Sequence, residues 1–121
     1  MSELTIGIGP FVIEPAVKRK IGLAALSELT LDATNWKNAY WAKEKGLYAK
    51  VYENMKELDL EIDFFAQKLA SYNAQALAEM KKVLWENTDH WKELLIERAQ
   101  VSGELVLSEA TKKALAKFSK K

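Results

Sequence analysis

The sequence has no cysteine, one histidine, two prolines and five glycines among its 121 residues. Without cysteine there is no disulfide, no thiolate metal site and no cysteine nucleophile, and a reducing compartment is permitted. A cytoplasmic location is the expectation. The one histidine, His90, has Asp89 beside it but no second histidine or paired carboxylate at ligand spacing, so it reads as a helix-start residue and no metal is expected. Charge of one sign is also missing. Eighteen Lys and Arg face seventeen Asp and Glu, a net charge of +1, which gives no global attraction to nucleic acid or an anionic membrane. No apolar run is long enough to span a bilayer, and Glu3, Gly7, Gly9 and Pro10 interrupt the opening stretch where a signal peptide would be continuous. The phosphate-binding, dinucleotide-binding and serine-nucleophile glycine motifs are absent as well.

What is present suits a globular domain, with 49% hydrophobic and 29% charged residues. The length predicts a single domain over 1–121, large enough for a core. Most of the chain has helical spacing. Glu14-Pro15 opens a helix that Gly22 stops, and Leu23, Leu26 and Leu29 form a second short apolar stripe expected to be buried. Asp32 is read as the N-cap of a helix running through Lys45 to a stop at Gly46. From Met55, Leu58, Ile62, Phe65, Leu69 and Tyr72 share one face. Ser71 to Asn73 breaks the pattern before a helix with Leu77, Met80 and Leu84. Thr88 is read as the cap of a third helix, with Trp91, Leu94 or Leu95, Arg98, Val101 and Leu105 inward, and Ser108 as the cap of the last.

Two stretches depart from that pattern. Leu47, Ala49 and Val51 alternate with Tyr48, Lys50 and Tyr52, which predicts a short strand. Ser2 to Ile13 is apolar and punctuated by Gly7 and Gly9, and it is the one segment able to pair with that strand. It also carries Glu3, the carboxylate singled out for chemistry. Other charged groups have plainer readings. Asp59, Glu61 and Asp63 fan over a solvated helix face, as do Lys18, Arg19 and Lys20, and the closing lysines complement the negative end of the last helix.

Glu3-x-x-x-Gly7-Ile8-Gly9-Pro10, the helix to Gly22, and Asp32-Ala33 through Ala42-Lys43-Glu44-Lys45-Gly46-Leu47 together resemble the C-terminal half of the enoyl-CoA hydratase/isomerase (crotonase) superfamily. Lys117-Phe118-Ser119-Lys120-Lys121 is similar to the ending of that family's last helix. The resemblance covers the whole chain and about half of the family's length. Ser2 stands where the family has proline, and Phe11 to Ala16 replaces its glycine-rich segment and Gln-Arg-Leu signature.

The resemblance implies a mainly α fold, the C-terminal helical part of a crotonase-like fold with one or two short strands near the N-terminus. Residues 1–54 would belong to the family's core region and 55–121 to its helical assembly region. Glu3 would match the second of two catalytic glutamates, a general acid/base over the acyl carbons of a thioester. Phe118, Lys120 and Lys121 would lie near the adenine and phosphate of CoA. In that family the backbone donors to the thioester oxygen and the first glutamate belong to the preceding half. The chain is therefore expected to be inactive alone, with an acyl-CoA thioester as the parent family's substrate and no covalently bound cofactor. Self-association of a helical module is the second reading, with a homo-oligomer expected and neither nucleic acid nor membrane as partner. A binder of anionic surfaces through the lysine tail is the third and weakest.

Overall fold

The structure, a computed structural model, describes residues 1–117. It is mainly helical, with six α-helices and no strand among the described residues. The chain divides into two compact units. One consists of Met1–Ala49 together with Trp91–Lys121, and the other of Lys50–His90.

The first unit opens on a 3-10 turn, Glu3–Ile6, and continues with α1 (Glu14–Leu31) and α2 (Ala39–Glu44), then α5 (Trp91–Val106) and α6 (Glu109–Ala116). The 3-10 turn packs against α1 and α6, and α6 against α5. α1 starts where Pro15 can occupy the first turn without losing a helical hydrogen bond. Gly22 divides it, with φ 74° and ψ 171°, a region only glycine enters readily. A Cβ at that position would have no atom of a neighbouring element within 4 Å, so its requirement is conformational. Among the described residues the buried apolar core consists of Val17, Ala25, Leu26 and Ala42, and α5 turns Leu94, Leu95, Val101 and Leu105 halfway inward. The expected stripe of Leu23, Leu26 and Leu29 is only partly inside. Leu26 is buried and Leu29 half-buried, but Leu23, next to the kink, faces outward.

α2 is shorter than expected. Asp32 ends α1 instead of starting a helix, and Asn38 is the cap, its Oδ1 accepting from the Trp41 N–H at 2.9 Å. The C-terminus is as expected. Gly46 has φ 81°, its N–H donates to the Lys43 carbonyl, and the Leu47 N–H donates back to Ala42 at 2.8 Å. This paired closure satisfies carbonyls that the helix end would leave open.

The second unit holds α3 (Met55–Ala70) and α4 (Ala74–Leu84). Asn54 and Asn73 cap them, accepting from the N–H groups of Glu57 and Ala76 at 3.0 and 2.9 Å. The break at Ser71–Asn73 falls where the sequence puts it. Neither helix contains a buried residue. Thr88 closes the exit from α4, donating to the Trp85 carbonyl at 2.7 Å, and α5 begins later, at Trp91.

Both expected strands are absent from the described residues, for local reasons. In the opening segment the amides find partners within the turn. Thr5 donates to the Ser2 carbonyl, Gly7 to Leu4 and Ile8 to Glu3, at 3.0, 3.2 and 3.1 Å. Gly7, at φ 81°, takes the left-handed conformation that ends it. At 47–52 the alternation has no neighbouring edge to pair with. Lys50 Nζ and Tyr52 Oη are instead held by the Glu61 carboxylate of α3, the tyrosine at 3.0 Å.

Candidate functional site

Glu3 stands in the first turn of the 3-10 segment. Its carbonyl accepts from Ile8, so the backbone is fixed, and its Oε2 is buried without a hydrogen-bond partner. Such an oxygen costs about 1–3 kcal/mol relative to a satisfied one. The turn is held from the other end of the chain by Thr111. Ser108 caps α6 by accepting from the Thr111 N–H at 3.3 Å, and its hydroxyl lies 3.2 Å from the threonine hydroxyl. Thr111 Oγ1 in turn donates to the Gly7 carbonyl at 3.3 Å. A Cβ on Gly7 would come within 2.7 Å of Thr111 Oγ1, and one on Gly9 would strike the ring of Phe11. Both glycines therefore allow close approach, though to the protein itself.

Beside this turn lies an open groove of about 350 Å³, lined among others by Leu4, Pro10, Phe11, Leu26, Glu14 and Arg98. Arg98 Nη2 approaches Glu14 Oε2 at 4.0 Å, and Lys18 approaches the same carboxylate at 3.6 Å. Glu3 is not among the residues lining this groove. A second groove, about 390 Å³, runs along α2 and is lined by Val17, Trp36, Trp41, Leu47 and Tyr48 among others.

At its rim is a cluster outside the residues expected from sequence. Lys37 Nζ bridges Glu28 Oε1 at 2.9 Å and Asp32 Oδ2 at 3.0 Å, and Trp41 Nε1 donates to Glu28 at 3.2 Å. The Lys37 side chain is only 13% exposed. Its hydrogen bond holds both carboxyls below their ordinary values, and the two carboxylates raise the lysine in return. The available signal was a carboxylate pair one helical turn apart with a lysine just beyond. Thr111 has no comparable signal in sequence.

Phe118, Lys120 and Lys121 lie outside the described residues. His90 sits in the turn before α5, and among the described residues no group of three or more His, Cys, Asp or Glu could hold a metal ion. The site thus offers one buried carboxylate oxygen without a hydrogen-bond partner, on a turn whose Leu4, but not Glu3 itself, lines an apolar groove holding the Arg98–Glu14 pair. Comparison with family models, with curated proteins and with solved structures found no match to this chain.

Proposed function

We propose that this chain is the C-terminal portion of an enoyl-CoA hydratase/isomerase-like acyl-CoA enzyme, inactive alone. Glu3 would be an acid/base, and Phe118, Lys120 and Lys121 would contact CoA. The observation that carries the reading is the buried, unpartnered Oε2 of Glu3. An oxygen kept unsatisfied at a cost in stability fits a group retained for proton transfer, because a purely structural carboxylate gains from being paired. The order of Glu3, the Gly7 turn, the Gly22 break and the closure at Gly46 supports the same reading, since these are the points where the resemblance is densest.

Calorimetric titration with a short acyl-CoA and with free CoA tests it. Binding should weaken in a Lys120→Ala, Lys121→Ala variant, and the unaltered chain should not turn over a short enoyl-CoA. Absence of any binding would remove the acyl-CoA reading. Turnover by the pure chain would remove the claim of inactivity.

A second reading, a helical self-association module, is favoured by the 50–90 unit. A segment of this size without a single buried side chain does not hold itself together by its own core. Phe64, Phe65, Leu60 and Ile62 on α3 are each more than half exposed.

A further inference from the structure

α3 has two apolar faces. Leu58, Ile62, Phe65 and Leu69 form the amphipathic stripe, and Leu58 and Leu69 are half-buried. Leu60 and Phe64, one turn apart, lie on the other side of the helix, each 62% exposed. This second stripe is framed by charge. Read along it, Glu57, Leu60, Phe64 and Lys68 follow at steps of three, four and four, so an acid stands at one end and a base at the other, about three turns apart. Neither Glu57 nor Lys68 forms an ion pair among the described residues.

We propose that this face of α3 docks against the same face of a second copy of the chain, antiparallel about a two-fold axis. The charge order selects the occupant. In an antiparallel pair Glu57 of each copy falls opposite Lys68 of the other, and the two Leu60 and two Phe64 side chains fill the space between them. A parallel pair would set acid against acid and base against base. A stripe that complements itself under a two-fold rotation is what an isologous dimer requires. The proposal rests on the self-association reading and assigns it a face. It does not depend on the acyl-CoA reading.

The test is a charge swap, read by sedimentation equilibrium on the full chain. Glu57→Lys and Lys68→Glu, made singly, should each weaken the dimer at least about tenfold. The two made together should restore it. Each swap puts the wrong charge at its end of the helix dipole, so an effect on helix stability alone would make the double variant worst. Circular dichroism on the same samples reports helix content. A chain that stays monomeric at high concentration overturns both self-association and this face. A dimer insensitive to the swaps, or a double variant no better than the singles, overturns this face and leaves self-association standing.

Discussion

Thr111 Oγ1 donates to the carbonyl of Gly7, joining residues 104 positions apart, and the threonine is fully buried. The bond ties α6 to the turn that presents Glu3, so the candidate carboxylate depends on a side chain near the far end of the chain.

Gly7→Ala should destabilise the first unit by more than about 1 kcal/mol, because φ is +81° and the new methyl meets Thr111 Oγ1 at 2.7 Å. Thr111→Ala should cost about 1 kcal/mol through the lost hydrogen bond. Made together they should cost less than the sum, because the smaller residue removes the clash and leaves only the backbone strain. Hydrogen exchange of the amides in residues 3–8 and in α6 gives the readout. Additive effects would mean that the contact does not form.

Replacing Glu3 by Leu should stabilise the chain by about 1 kcal/mol, because it removes the oxygen that has no partner. A rise in melting temperature checks it. A clear fall would show that the carboxylate contributes to folding, and would take away the argument for a retained functional group.

The Glu28–Lys37–Asp32 cluster predicts a stability that depends on pH with two edges. Both carboxyls are lowered on folding, so their contribution is present above the ordinary carboxylate values of about 4 and is lost as pH falls through the folded values. Lys37 is raised, so its contribution is present below about 10.4 and is lost as pH rises through its folded value. Melting temperature followed across both ranges should show both edges flattened in Lys37→Met. An unchanged acid edge would place the acid sensitivity elsewhere.

Asn54→Ala and Asn73→Ala should each cost about 1 kcal/mol of helix stability, since each removes the acceptor of a first-turn N–H. Far-ultraviolet circular dichroism with urea titration measures it. Loss should concentrate in the 50–90 unit, where no buried side chain compensates.

The helices that the sequence shows are those whose signals are local. Ser108 with Glu109, the break at Ser71–Asn73, the apolar spacing from Leu58 to Leu69 and the stop at Gly46 all act within a turn or two, and each lies where it was expected. The misread segments are those whose outcome depends on something further away. Residues 47–52 alternate like a strand and Ser2 to Ile13 reads as the segment to pair with it, but a strand needs a neighbouring edge, and nearby groups satisfied their backbone and side chains first. Asp32 resembles a cap by residue type, yet its carboxylate is engaged by Lys37 and α1 runs up to it. At the site, Glu3 could be singled out by type and neighbourhood. That its Oε2 would be left without a partner has no local signal, and that Thr111 would hold its turn depends on α6 packing against residues at the opposite end of the chain.

The sparse core, with Val17, Ala25, Leu26 and Ala42 as its buried apolar side chains among the described residues, has a calorimetric counterpart. Exposure of apolar surface supplies the heat-capacity increment of unfolding and most of the denaturant slope. A chain that hides so little of it should melt over a wide temperature interval, with a shallow urea slope and a flat stability curve. If copies dock through α3, the buried surface grows with concentration, and the transition should sharpen and move upward as the protein is concentrated.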